Sequence, residues 1–153
     1  MKKCKNRRIA ALKALNGLVD IEISGLSDKR RQADERLRVI NEDLAEIDSD
    51  ITNAEYCAQS ALDPGARLII EEYQMLRSYL DMKKRLKVNK QRQQGFAQTR
   101  LDSVEKELVT QYQKNRGLQN LLDRKVDDQR LDTEKKQMLI HDEEWLLRKR
   151  EEV

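Results

Sequence analysis

Counting from Ile9 in alternating steps of three and four lands on Ile9, Leu12, Asn16, Val19, Ile23, Leu26, Arg30, Ala33, Leu37, Ile40, Leu44, Ile47, Ile51, Ala54, Ala58 and Ala61. Fourteen of these sixteen positions are apolar, and the repeat runs for more than seven heptads without a slip. A period of 3.5 holds one stripe against a partner helix, whereas 3.6 would carry it around the surface. A chain constrained in this way forms a coiled coil, and little else is open to it. Asn16 and Arg30 interrupt the stripe and are expected to fix register while loosening the packing.

Composition supports a narrow seam over a broad core. Charged residues make up 39% of the 153 residues, and one Phe, one Trp and four Tyr are too few aromatics for a globular interior. Net charge is only +3 and the apolar residues are periodic, which argues against a disordered chain. No stretch reads as a signal peptide or membrane span, because Lys13, Asn16, Asp20 and Glu22 interrupt Ile9 to Ile23. Cys4 and Cys57 lack metal-type spacing and suggest a reducing compartment, hence the cytosol. Some 53 residues apart on one helix, they would be roughly 80 Å from each other and unable to pair.

The strongest breaker is Ala-Leu-Asp-Pro-Gly at 61–65. Pro64 disfavours helix for Asp63 and suits the first turn of a new helix, with Asp63 as its N-cap. The expected fold is therefore all-α: a single long two-helix antiparallel coiled-coil hairpin spanning 1–153. Helix one covers about 5–61, the turn lies at 62–66, and a longer helix two covers about 67–150. The second seam starts at Leu68, Met75, Tyr79, Met82 and Leu86, weakens through Asn89 and Gln93, and resumes out of phase at Ala97, Leu101, Val104 and Leu108. That step reads as a stutter containing Gly95, with a kink or local unwinding near 89–97.

Charge provides a check on pairing. Residues 41–66 carry seven acids and no base, and residues 83–92 carry six bases and no acid. A turn at 64 makes partner numbers sum to about 128, so the two blocks overlap in part. About 30 residues of helix two would then project beyond helix one, including Met138-Leu139-Ile140 and Trp145-Leu146-Leu147. These clusters either seek an external partner or fold back as core.

Catalysis has no setting in this sequence. Carboxylates abound without a cleft, and neither a glycine-rich phosphate loop nor a nucleophile motif is present. His141 stands beside Asp142, Glu143 and Glu144, but consecutive residues point around a helix and cannot converge on one ion. The chain is read as a non-enzyme without cofactor or metal. Lys2, Lys3, Lys5, Arg7, Arg8 and Lys13 make a basic N-terminal arm with no acid before Asp20. Such an arm suits an acidic protein surface better than nucleic acid, since no aromatics interleave the bases. Met75, Tyr79, Met82 and Leu86 are seam residues by spacing. They would be partly exposed if the small Ala54 and Ala58 face them.

The basic N-terminus, the heptad-rich first helix, the tip near residue 64 and the longer charged second helix together resemble the YscO/FliJ family of type III secretion. Locally, Glu71-Glu72-Tyr73-Gln74-Met75-Leu76-Arg77-Ser78-Tyr79-Leu80 is similar to the Tyr-Gln-plus-apolar stretch after the turn in these proteins. The likeness covers essentially the whole chain and leans to the injectisome branch. It implies a central stalk of a hexameric type III secretion ATPase at the cytoplasmic face of the apparatus, linked to the export-gate protein and to export chaperones. The isolated chain is expected to be a monomer, without nucleic-acid binding or direct membrane insertion. By that resemblance Lys3, Lys5, Arg7, Arg8, Arg148 and Arg150 would be ring contacts, and Met75, Tyr79, Met82 and Leu86 export-gate contacts. The aromatic and histidine of the flagellar pattern are absent here. The alternatives are a generic coiled-coil scaffold or chaperone-like dimer and, more distantly, a nucleic-acid-associated coiled coil.

Overall fold

The structure, a computed structural model, describes residues 2–67 and 69–151, with side chains from Cys4 onward. Leu68, expected to open the second seam, and the side chain of Lys3 lie outside the described residues. Two helices make up nearly all of it: α1, Lys2–Ala61, and α2, Ile70–Glu151. The chain divides into two compact units, Met1–Gly25 with Leu108–Val153, and Leu26–Glu107. In each unit a stretch of α1 packs antiparallel against a stretch of α2, as expected for a two-helix hairpin. No described helix is long and apolar enough to cross a membrane.

The α1 stripe is where the heptads put it. Of the sixteen positions from Ile9 to Ala61, fifteen are buried or half-buried, and Arg30 stands exposed with its Nε 3.3 Å from Glu105. In the Leu26–Glu107 unit, Ile47, Ile51 and Ala54 pack with Leu80, flanked by Ala58 and Leu76. In the other unit Val19 and Leu122 are buried, with Leu12, Ile23 and Leu118 half-buried beside them.

The second seam corrects the sequence reading. The residues of α2 that turn inward are Tyr73, Leu76, Leu80, Lys83, Lys87, Lys90, Gln94, Ala97, Leu101 and Val104 in one unit. In the other they are Leu108, Gln111, Asn115, Leu118 and Leu122. They follow one another in steps of three and four without a slip, so the expected stutter does not exist, and α2 stays helical through 89–97. The apparent gap arose because three lysines and a glutamine occupy seam positions. Their long stems can cover apolar surface while their polar ends reach the rim of the seam. Met75, Tyr79, Met82 and Leu86, expected in the seam, lie outside it and are exposed.

The turn is also longer than expected. Helix two begins at Ile70, not at 67, and Asp63 is not its N-cap. Instead the Asp63 carbonyl accepts from the Ala66 N–H at 3.1 Å, closing a tight turn with Pro64 and Gly65 at its centre. Gly65 has φ of 99°, which an L side chain rarely adopts, so Pro-Gly is the pair this turn requires. Ile69 starts the new helix by accepting from the Tyr73 N–H at 3.1 Å, and Glu71 and Glu72 complement the positive helix end.

The longer loop moves the register by one heptad. Asn41 with Gln94, Asp48 with Lys87 and Arg30 with Glu105 each have numbers summing to 135, not 128. The same sum holds in the terminal unit for Asn6 with Gln129, Asn16 with Gln119 and Asp20 with Asn115. This register aligns the charge blocks more fully than 128 would. Lys83 meets Asp50 at 2.6 Å, Lys84 meets Glu55 at 3.0 Å, Lys87 meets Asp48 at 2.7 Å and Lys90 meets Asp43 at 2.6 Å.

Candidate functional site

Three surfaces carry the residues singled out from the sequence. The first follows the turn on α2. Met75, Tyr79, Met82 and Leu86, spaced four, three and four, fall on one helical stripe beside the seam. Met75 is 73% exposed and Met82 55%. Lys83 belongs to both features: its ammonium lies 5.4 Å from the centre of the Tyr79 ring and hydrogen-bonds Asp50. The Asp50 hydrogen bond, followed by the Asp50 and Tyr79 electrostatics, pushes the lysine pKa above its ordinary value. The stripe is thus an apolar strip edged by the ammonium of Lys83.

The second surface is the N-terminal arm. Lys5 is committed to Asp132 across the pair of helices. That hydrogen bond and the lysine's charge hold the Asp132 carboxyl below the usual aspartate range, with smaller help from Lys136 and Lys135. Arg7, Arg8 and Lys13 are exposed and have no ion-pair partner among the described residues. Arg8 and Ile9 edge a shallow groove with Lys125, Asp128 and Gln129.

The third surface is the end of α2. Among the described residues, none of α1 lies opposite residues from about 134 to 151. That makes roughly 27 Å of single helix in place of the 30-residue overhang expected. The helix does not fold back: Met138, Leu139, Ile140, Trp145, Leu146 and Leu147 are all more than half exposed. Lys149 sits 4.6 Å from the centre of the Trp145 ring. Leu139 and Ile140 recur seven residues later as Leu146 and Leu147, continuing the inward face of α2 past the end of α1.

The six basic candidates do not form one cluster. Lys5 lies opposite Asp132, and Arg148 is sixteen residues further along the same helix, about 24 Å away along the axis. The N-terminal arm and the Arg148–Arg150 end are therefore separate patches. His141 and Asp142 to Glu144 are exposed around the helix, and no group of three or more metal-ligating side chains gathers among the described residues. Cys4 and Cys57 are exposed free thiols.

One feature escaped the sequence reading. Between the helices of the Leu26–Glu107 unit runs a groove lined by Ala33, Val39, Ile40, Phe96, Ala97 and several cations. The signal was present in Phe96, the only phenylalanine, set two residues after a polar seam position. It was masked because 89–97 read as a defect in the coiled coil. No protein-family model matches the sequence, and neither a curated protein nor a solved structure matches the chain.

Proposed function

We propose that the chain is a non-catalytic central-stalk component of a type III secretion ATPase complex. In this reading it inserts into the hexameric ATPase ring, promotes ring assembly and activity, and links the ring to the export gate and export chaperones at the cytoplasmic face of the apparatus. The observation that carries the reading is the exposed stripe Met75, Tyr79, Met82 and Leu86. It lies just after the turn, where the resemblance to the YscO/FliJ family puts the gate contact. A paired helix that leaves four large apolar or aromatic residues outside its own seam has a surface suited to a protein partner.

The basic residues fit the ring end of this reading. Arg7 and Arg8, which have no ion-pair partner among the described residues, offer guanidinium groups for carboxylates of a ring subunit, whereas Lys5 pairs α1 with α2 through Asp132. Arg148 and Arg150 would meet a different depth of the ring. A two-helix coiled coil presents different faces to different subunits around a ring. Differential contact with one subunit interface shifts the ring's conformational equilibrium without chemistry on the stalk itself.

The test adds the purified chain to a type III secretion ATPase and follows ATP hydrolysis and hexamer formation together. Stimulation of both, lost on deleting residues 1–13 and weakened by Arg7→Glu/Arg8→Glu, supports the stalk. Met75→Ser/Met82→Ser should leave stimulation intact and weaken export-gate binding. A helical, monomeric chain that stimulates neither moves the assignment to a generic coiled-coil scaffold. The uncovered apolar end of α2 favours that second reading if light scattering shows a dimer.

A further inference from the structure

The groove of the Leu26–Glu107 unit has a physical origin in the seam. Ala33 and Ala97 occupy inward positions on the two helices, and their short side chains leave a hollow that leucines would fill. Ile40 is buried beneath it. Phe96 stands at the rim 77% exposed, with Val39 43% exposed on the other helix. A large aromatic left in water beside an apolar hollow is the arrangement of an unfilled helix-binding groove.

The charges around the hollow are unbalanced. Its two carboxylates are already engaged, Asp43 by Lys90 at 2.6 Å and Glu35 by Arg38, whose hydrogen bond holds the Glu35 carboxyl below its ordinary range. Arg31 is held by Asp28 at 3.1 Å. Lys29, Arg36 and Arg100 line the same groove and have no ion-pair partner among the described residues. What remains is an apolar hollow with three uncompensated cations on both of its walls.

We infer that this groove docks an acidic amphipathic helix of a partner protein. The apolar face of that helix covers Phe96 and Val39, and its carboxylates meet Lys29, Arg36 and Arg100. A third helix laid along two antiparallel helices places residues at i, i+4 and i+7 into the hollow, as in coiled-coil packing. Opposite charge on the rim selects the partner and speeds its approach. Nucleic acid fits less well, because Glu35 and Asp43 stand within the lining and a single aromatic makes no stacking platform. None of these residues belongs to the proposed ring or gate surfaces, so the inference is independent of the stalk reading.

The test uses the full chain and a fluorescein-labelled helical peptide with Leu at i, i+4 and i+7 and Glu flanking that face. Its Glu-to-Gln counterpart serves as the control, with anisotropy as the readout. Saturable binding of the Glu peptide is expected. It should weaken at least tenfold for the Gln peptide, for Phe96→Ala, and for Arg36→Glu/Arg100→Glu. All three side chains are exposed, so circular dichroism should be unchanged, and Arg36→Gln/Arg100→Gln is the milder variant if it is not. Absence of saturable binding overturns the inference, as does equal binding of the Gln peptide or indifference to Phe96→Ala. Displacement of the peptide by a single-stranded oligonucleotide that itself binds through Phe96, with a steep salt dependence, would replace the protein partner with nucleic acid.

Discussion

Gly65 and Gly95 make opposite demands on the chain. Gly65 closes the turn at φ of 99°, so Gly65→Ala forces an L side chain into a left-handed conformation and should destabilise by about 1–2 kcal/mol. Gly95 lies inside α2, and a Cβ there meets nothing within 4 Å. Gly95→Ala should stabilise by about 1 kcal/mol, the ordinary helical difference between the two residues. Urea unfolding monitored by circular dichroism reads both. A kink at Gly95 would have reversed the second sign. Gln111 offers a third case, since its Oε1 is buried without a hydrogen-bond partner among the described residues. Gln111→Leu removes that polar atom and fills the seam, and should raise stability by about 1 kcal/mol.

At the scale of the elements, the two helices differ in how well they can be read from sequence. The α1 seam was legible because fourteen of its sixteen positions are apolar, and periodicity alone found it. The α2 seam was not, because Lys83, Lys87, Lys90 and Gln94 hold inward positions while Met75, Met82 and Phe96 lie outside. A count of apolar residues follows the outer stripe and then finds a false break. The charge blocks were the better guide, and the lysines that spoiled the seam are the ones that pair with Asp43, Asp48 and Asp50. The register missed by one heptad because Pro-Gly marked where the turn starts but not where the next helix begins. The spacing of Met75, Tyr79, Met82 and Leu86 is legible as a stripe, but not its place beside the seam instead of within it. The Phe96 groove is not legible in the sequence, because nothing local to Phe96 shows that Val39 lies across from it or that Ala33 leaves a hollow on the opposite helix.

Two predictions belong to these pairings. In a double-mutant cycle on Lys87 and Asp48, the coupling should be no more than about 1 kcal/mol and should shrink with added salt, as expected of a pair open to solvent. Asp132 responds to acid instead. Its folded pKa is lowered by Lys5, so the unfolded chain takes up the proton first as pH falls. The stabilisation is complete above the unfolded aspartate value of about 4 and is lost as pH drops through the lowered folded value. Thermal unfolding of the wild type and of Asp132→Asn should therefore differ near neutrality and converge in strong acid.

At the scale of the whole molecule, α1 and α2 of one chain pair in a register that leaves Met75, Tyr79, Met82, Leu86 and Phe96 outside. A slip of seven residues would bring acids and lysines into different partnerships. Pairing between two chains would put α1 against α1 or α2 of the other chain. The most direct measurement is cross-linking with a short bismaleimide in a background where Cys4 and Cys57 are replaced by Ser. Asn41→Cys/Gln94→Cys, whose native side chains hydrogen-bond at 2.6 Å, should link rapidly within one chain at any protein concentration. Asn41→Cys/Lys87→Cys, the pair one heptad away, should link slowly. Preferential linkage of 41 to 87, or cross-links that form only between chains, would contradict the account.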